Sequence, residues 1–456
     1  MGTFYVENFG CRATQADGAA LERQLRERGL NRAGSASQAE LVVLNTCTVT
    51  ASADRDARAA IRRIHRQNPE CRIVVTGCYA QRAPQEIAAL PGVSEVIGNS
   101  HKHELVKIAI PGERETNFTQ FLETACEGPT TKSEVPRTKD VGPIYVSDIF
   151  AHTELLAAPV FDAANERTRP ILKVQDGCDN RCSFCVIPQV RGQSRSLPLP
   201  QILQEVNTLV TAGYREVVIS GINLGRWGRD LVNPARFENL VRAILDHTAL
   251  EKLRISSVEP MDWSDELIRM VANSPRIAKH AHVPMQSASD RVLRLMHRKY
   301  RPWHYREKLE KIRAAMPTAA IGADVMVGFP GETDDDFAQT HRMIEELPFT
   351  YLHVFTYSAR PGTPAAAMGA QVPPTIAAER NRLLRELAAE KKQSFLRSFI
   401  GQTLDAITLN QFDGEHTECL TDNYLKLSLR GRHEANRWVP VSVQQANAGA
   451  LLGVVV

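Results

Sequence analysis

The chain has 456 residues, 43% of them hydrophobic and 23% charged, with a formal net charge of +3. That length exceeds what one core supports and implies two or three domains, and so small a charge does not by itself mark a nucleic-acid partner. No apolar run approaches the roughly 18 residues a membrane span needs. Met1 to Gly10 carries no basic stretch leading into an apolar core. The expectation is a cytoplasmic protein with no membrane partner, whose nine cysteines serve as metal ligands, catalytic groups or apolar filler rather than as disulfides.

Residues 3–6, 41–44 and 72–76 read as strands, separated by helical stretches at 16–28, 53–67 and 81–90. Strands alternating with helices imply parallel pairing and a small α/β domain. From Pro111 to Arg169, glycine and proline punctuate short polar stretches, as expected of a connector with one hairpin. Alternation resumes with six strand candidates at 171–175, 216–220, 253–258, 280–284, 321–327 and 351–357. Six βα repeats make a partial barrel of the eight-stranded type. A helix over 377–399 leads into short β-type runs from Gly401 to Val456, which read as a small antiparallel β-barrel. The fold class is therefore α/β multidomain. Boundaries are expected at 1–112 for the N-terminal parallel α/β domain, 113–163 for a linker, 164–394 for the partial (β/α)6 barrel and 396–456 for the terminal barrel.

Cys178, Cys182 and Cys185 follow the first barrel strand directly, at the face where barrel active sites are built. Their spacing lets one loop bring three thiolates to separate irons of a single cluster. Structural zinc needs four ligands, and no histidine or further cysteine follows before His247. Three ligands on a four-iron cluster leave one iron open, and an open coordination site is where a cofactor or substrate binds. Cys178-x3-Cys182-x2-Cys185 at the head of a partial barrel resembles the radical S-adenosylmethionine superfamily. The resemblance implies a 4Fe-4S cluster that binds S-adenosylmethionine and cleaves it to a 5′-deoxyadenosyl radical. It also implies cofactor contacts at the other strand ends, by Ser220, Gly221, Asn223, Glu259, Gln286 and Gly328, with Arg298 as a carboxylate partner.

Cys11, Cys47 and Cys78 are far apart in sequence, but each sits just past a strand. In a parallel sheet such loops emerge at one edge, so the three thiols are expected to be neighbours. Cys71 precedes its strand and belongs at the opposite edge; Cys126 and Cys419 carry no assigned role. A second incomplete cluster is the expectation. Gly10-Cys11, Asn45-Thr46-Cys47-Thr48-Val49-Thr50 and Gly77-Cys78-Tyr79-Ala80-Gln81 resemble the N-terminal domain of the methylthiotransferase family. So do Arg191-Gly192-Gln193-Ser194-Arg195-Ser196, Gly221-Ile222-Asn223-Leu224-Gly225 and His353-Val354-Phe355-Thr356-Tyr357-Ser358 downstream, and the terminal barrel resembles that family's TRAM domain. The chain departs from the family where Thr14 stands in place of the usual asparagine after Gly10-Cys11.

Arg55, Arg58, Arg62 and Arg66 recur at helical spacing after Cys47, a basic stripe suited to a phosphate backbone. In the terminal barrel, Lys426, Arg430, Arg432 and Arg437 are interleaved with Tyr424, His433 and Trp438, a mixture that can stack on unpaired bases. The family resemblance implies a monomeric enzyme with two 4Fe-4S clusters and S-adenosylmethionine, acting on tRNA with a flavodoxin- or ferredoxin-type electron donor. The motifs look most like the branch that adds a 2-methylthio group to N6-threonylcarbamoyladenosine beside the anticodon. Sister branches act on N6-isopentenyladenosine or on a ribosomal-protein aspartate. A non-catalytic iron–sulfur RNA-binding protein is the reading from a different class, and it would require fully ligated clusters.

Overall fold

The computed structural model describes residues 2–110, 142–152, 168–447 and 449–456, which fall into two compact units. Cys126 and most of the expected linker lie outside the described residues.

The first unit comprises Met1–Leu156 together with Ile187–Gly192. Its sheet runs in the order β2-β1-β3-β4-β5-β6, with β1 (Thr3–Asn8), β2 (Asn31–Arg32), β3 (Leu41–Thr46), β4 (Arg72–Gly77), β5 (Val93–Gly98) and β6 (Ile144–Tyr145). Every pairing in it is parallel. β6 lies within the stretch expected as a connector. The continuous apolar run in β3 is buried on both faces. Leu41 and Val43 pack with Leu21 and Leu25 of α1 (Arg12–Glu27) and with Leu105 of α5 (Leu105–Ala109). Val42 and Leu44 pack with Ala57, Ile61 and Ile64 of α2 (Ala51–Gln67) and Tyr79 of α3 (Cys78–Arg82), with Ile87 of α4 (Pro84–Ala88) beside them. Thr50 starts α2 by accepting a hydrogen bond from the Ala53 N–H at 3.2 Å. The short helix α6 (Ile187–Arg191) completes this unit.

The second unit carries two sheets and a closed barrel. In the first sheet, β7 (Ile171–Asp176), β9 (Glu216–Gly221) and β10 (Lys252–Ile255) are parallel, and the short β8 (Arg195–Ser196) is antiparallel on β7. In the second, β11 (His280–His282), β12 (Ala320–Val327) and β13 (Tyr351–Thr356) are parallel. An isolated parallel bridge from Leu253 to Ile277 and a bond from the Val258 N–H to the His282 carbonyl (3.1 Å) join them. The result is an open, six-stranded partial barrel. β10 and β11 end earlier than the sequence suggests. Pro284 has no N–H for the ladder, and Ser257 turns its hydroxyl to His282 Nδ1 (2.7 Å).

Helices α7 (Leu199–Thr211), α8 (Phe237–His247), α9 (Asp265–Asn273), α10 (Asp290–Leu295), α11 (Pro302–Ala315) and α12 (Asp334–Glu346) connect these strands, and α13 (Pro374–Arg397) follows them. The terminal barrel closes in the order β14-β15-β16-β18-β17, from β14 (Thr403–Phe412), β15 (His416–Thr421), β16 (Lys426–Arg430), β17 (Trp438–Asn447) and β18 (Ala450–Val455). It is not wholly antiparallel: β16 and β18 pair in parallel. Its core of Ala406, Cys419, Leu427, Leu429, Val441 and Leu451 is capped by Leu396 and Phe399, so Cys419 is apolar filler. Among the described residues no helix is long and apolar enough to cross a membrane.

Candidate functional site: two cysteine triads

In the first unit the order β2-β1-β3-β4-β5 places a topological switch between β1 and β3, where open α/β sheets bind ligands beyond their carboxyl ends. Cys11 and Cys47 flank that switch and Cys78 follows the next strand. Gly10 has φ of +97°, and a Cβ there would lie 2.6 Å from Cys47 Cβ and 2.8 Å from its Sγ. The chain entering Cys11 therefore rides directly over Cys47. Gly77, with φ of +98°, leaves no room for a Cβ against the Thr46 carbonyl (2.3 Å), which seats Cys78 beside Cys47. Burial pushes the Cys47 thiol up to about 12, and the charges of Cys78 and Cys11 push the same way. A thiol so buried resists ionising without a cation beside it. Asn99 Nδ2 approaches Cys78 Sγ at 3.5 Å. Thr14, the departure from the family pattern, still reaches Cys11 Sγ at 3.5 Å through its hydroxyl. Cys71 lies at the opposite end of β4 and is buried in the core, as the strand-edge argument requires.

In the second unit the loop after β7 is pinned before it reaches its cysteines. Gln175, fully buried, donates to the Asp176 carbonyl (2.9 Å), the Gly177 carbonyl (2.8 Å) and the Ser194 hydroxyl (3.0 Å). Its Oε1 accepts the Asn223 N–H at 2.7 Å, tying the loop to the end of β9. Asp176 accepts from Lys173 Nζ (2.9 Å) and from the Gly177 N–H (2.8 Å). Further along, the Ser183 hydroxyl donates to the Leu295 carbonyl (2.7 Å), and Phe184 meets Phe329 edge-on with ring centroids 6.5 Å apart. Cys178, Cys182 and Cys185 are half-buried. Burial pushes the Cys178 thiol up, with Cys182 adding to that effect.

The polar residues expected around this loop divide into two groups. Asn223 Nδ2 lies 3.6 Å from Cys178 Sγ, while its buried Oδ1 has no hydrogen-bond partner among the described residues. Arg298 Nη1 lies 3.3 Å from Cys182 Sγ, its Nη2 is paired with Glu259, and its guanidinium covers the Tyr300 ring at 4.9 Å. Asn180, Cys182, Arg226, Glu259, Arg298 and Tyr300 line one small pocket. An orphaned buried acceptor beside one thiol and a guanidinium beside another fit a cluster whose open iron holds a zwitterionic ligand. The other group is held in place by packing and main-chain bonds. A Cβ on Gly221 would meet Gln175 Oε1 at 2.9 Å, and one on Gly328 would meet Ala377 Cβ at 2.6 Å. Ser220 is buried at the end of β9, and Gln286, with φ of +64°, gives its N–H to the Asp324 carbonyl (2.8 Å). Among the described residues no three His, Cys, Asp or Glu side chains converge tightly enough to share one metal ion. A cubane makes no such demand, because its ligands sit on separate irons.

Residues that sequence reasoning missed carry much of this geometry. Gln175 lies in the run leading into Cys178 but carries no assigned role there, Tyr300 lacks any local motif, and the Ser257–His282–Asp324 chain (2.7 and 3.5 Å) joins the segment after β10 to β11 and β12 across long sequence separations.

The basic stripe is real but not uniform. Arg55, Arg62 and Arg66 are exposed, whereas Arg58 is half-buried and donates to the Tyr79 hydroxyl at 2.7 Å. In the terminal barrel Lys426, Arg430, Arg432 and Arg437 are exposed. Lys426 is paired with Glu418 (3.0 Å) and Arg437 with Glu434 (2.7 Å), while Arg432 lies over the exposed Phe412 ring at 5.9 Å. Two of the three aromatics expected to stack on bases turn the other way. Tyr424 packs on His280 (ring centroids 4.6 Å apart) and under Arg254 (5.4 Å), and Trp438 packs under Lys252 (5.0 Å). Their faces belong to the seat of the terminal barrel on the strands.

Residues 3–98 match the family described as Uncharacterized protein family UPF0004, and residues 172–344 match the radical SAM superfamily. The chain is 36% identical over 439 residues to the threonylcarbamoyladenosine tRNA methylthiotransferase MtaB of Aquifex aeolicus, covering 96% of this chain and 99% of that one. It is 32% identical to the tRNA-2-methylthio-N(6)-dimethylallyladenosine synthase of Thermobifida fusca, over 97% of this chain and 84% of that one. Among solved structures, the radical S-adenosylmethionine methyltransferase TsrM of Kitasatospora setae, with cobalamin and a [4Fe-4S] cluster bound, superposes with a TM-score of 0.55 at 14% identity. That match covers 80% of this chain and 76% of TsrM, a likeness of fold. With two cysteine triads at the ends of parallel strands and full-length identity at this level, the chain belongs to the methylthiotransferase family of radical SAM proteins.

Proposed function

We infer that this protein converts N6-threonylcarbamoyladenosine beside the anticodon of tRNA to its 2-methylthio derivative. The observation that carries the reading is the gathering of Cys11, Cys47 and Cys78 at one sheet edge, in a chain that has a second triad on a radical SAM barrel. The relative named for that nucleoside is the more similar of the two described above, at 36% identity against 32%, which favours it over the dimethylallyl branch.

When bound, a four-iron cluster with S-adenosylmethionine supplies a radical able to take hydrogen from an unactivated aromatic carbon, and a second cluster carries the sulfur. Cys178, Cys182 and Cys185 would hold the first cluster, and Cys11, Cys47 and Cys78 the second. Gln175 fixes the ligand loop through protein hydrogen bonds, which would lower the ordering cost of holding a cluster. Asn223 Oδ1 would accept from an ammonium group and Arg298 would meet a carboxylate, with Glu259 orienting the guanidinium. Ser220, Gly221, Gln286 and Gly328 would complete the cofactor wall. Arg55, Arg62 and Arg66, with Arg430 and Arg432 of the terminal barrel, offer exposed cations to the tRNA backbone. A monomer working in the cytoplasm with a flavodoxin- or ferredoxin-type electron donor completes the reading.

Nucleoside mass spectrometry of tRNA from cells with and without the gene tests it. The 2-methylthio derivative of threonylcarbamoyladenosine should vanish on deletion and return on complementation. Its persistence in a strain lacking any paralogue overturns the substrate assignment, and loss of the isopentenyl derivative instead points to the sister branch.

A further inference from the structure

Against the N-terminal triad lies a cluster of buried charges. Asp17, on α1, is 1% exposed, Lys102 is 4% and Arg191 is 2%. Lys102 Nζ lies 3.0 Å from Asp17 Oδ2, and Arg191 Nη2 approaches the same oxygen at 3.1 Å. Both cations are tied into the cysteine loops as well. Lys102 Nζ donates to Asn45 Oδ1 at 3.2 Å, two residues before Cys47. Arg191 Nη2 reaches the Thr14 hydroxyl at 3.5 Å, and that hydroxyl lies 3.5 Å from Cys11 Sγ. Asn99 spans the remaining side, donating to the Val190 carbonyl at 2.7 Å and approaching Cys78 Sγ at 3.5 Å.

Two cations converge on one carboxylate oxygen, in a place closed to water. Burying charge out of balance is costly unless an opposite charge stands nearby. The opposite charge is at hand: burial and Arg191 disfavour the Lys102 ammonium, Asp17 and Cys78 favour it, and Arg191 in turn favours the Cys47 thiolate. Three thiolates on an iron–sulfur core make an anionic assembly, and its reduction adds a further negative charge. Fixed positive charge at this range favours the reduced state.

We propose that Lys102 and Arg191, oriented by Asp17, are positioning residues that hold the thiolate-ligated cluster at Cys11, Cys47 and Cys78 and set its reduction potential. The inference rests on the two-cluster reading above. Its signature is a charge ladder. Lys102→Met lowers the local charge by one and should disfavour reduction about tenfold, a fall of about 59 mV for a one-electron couple. Asp17→Asn raises the charge by one and should shift the potential upward. The double variant D17N/K102M restores the original charge with two altered side chains, and should return close to the starting potential. Lys102→Arg should leave it in place. Damaged packing would give no such alternation of sign.

The measurement is a redox titration followed by electron paramagnetic resonance. It uses the anaerobically reconstituted full chain carrying C178A/C182A/C185A, so that only the N-terminal cluster reports. If K102M cannot hold iron, recovery of iron in D17N/K102M supports the proposal, and continued loss from a folded double variant overturns it. Midpoints that ignore the ladder overturn it too. Absence of iron from the parent C178A/C182A/C185A protein sinks the two-cluster reading, and this inference with it.

Discussion

The Arg58 guanidinium donates to the Tyr79 hydroxyl at 2.7 Å, and that hydroxyl donates onward to Glu86 at 2.7 Å. Tyr79 directly follows Cys78, so one member of the basic stripe is committed to the wall of the cysteine site.

The remaining arginines of α2 should therefore behave differently from Arg58. Replacing Arg55, Arg62 and Arg66 with alanine should weaken tRNA binding across sequences. It should also reduce the slope of log affinity against log salt by roughly one for each phosphate no longer neutralised. Arg58→Ala should leave that slope in place and instead lower stability by about 1 kcal/mol, the loss of one hydrogen bond to a hydroxyl that still donates to Glu86. Filter binding over a salt series, with a urea melt of each variant, separates the two.

Gly10→Ala tests how closely the Cys11 loop rides on Cys47. A methyl group there would sit 2.6 Å from Cys47 Cβ at φ of +97°. The expected result is loss of about half the iron after reconstitution, with a backbone cost of about 1–3 kcal/mol. Gly29→Ala is the control: its φ is also positive, at +82°, but nothing lies within 4 Å of the new methyl. That variant should show strain without iron loss.

Arg254→Met should be among the most damaging single changes outside the clusters. Arg254 Nε lies 2.6 Å from Glu216 Oε1 and both side chains are fully buried. Removing one partner of a buried pair costs about 3–5 kcal/mol. Arg169, 3.4 Å from the same oxygen, would offset part of that loss. The double variant E216Q/R254M should recover part of it as well, measured by chemical denaturation.

Asp324 provides a pH test. Burial pushes its carboxyl up to about 6, the Glu259 charge adds to the effect, and Arg298 opposes it. Between about pH 4 and pH 6 the folded chain therefore binds this proton more tightly than the unfolded chain. Stability from this group is present below that window and is lost as pH rises through it, by about 3 kcal/mol at most. Asp324→Asn should remove that slope, read as the difference in urea midpoint between variant and parent from pH 4.5 to 7.

Much of the fold was legible because parallel strands announce themselves. β3 is apolar at its first four positions since both of its faces are covered. A cysteine just after such a strand has only one edge at which to emerge, which is why Cys11, Cys47 and Cys78 could be grouped without a structure. The docking of short segments was not legible. Nothing local in Ile187–Gly192 tells that it folds with the first unit, so the partnership of Arg191 with Asp17 was invisible. Tyr424 and Trp438 misled for a related reason: alternation shows that a face is covered, not by what. The parallel pairing of β16 with β18 likewise depends on barrel closure rather than on any turn signal.

The seat of the terminal barrel relies heavily on main-chain atoms. Arg254 donates to the carbonyls of Asp422 (3.2 Å) and Thr421 (3.3 Å), Asn423 donates to the Thr318 carbonyl (2.9 Å), and Asn436 donates to the Gly213 carbonyl (2.7 Å). A peptide carbonyl is the same whatever side chain it carries. At Thr421 and Asp422 the barrel offers only main-chain carbonyls to Arg254, so side chains on its exposed strands can be exchanged while that attachment stays intact. A part held in this way can change its surface chemistry without losing that anchor.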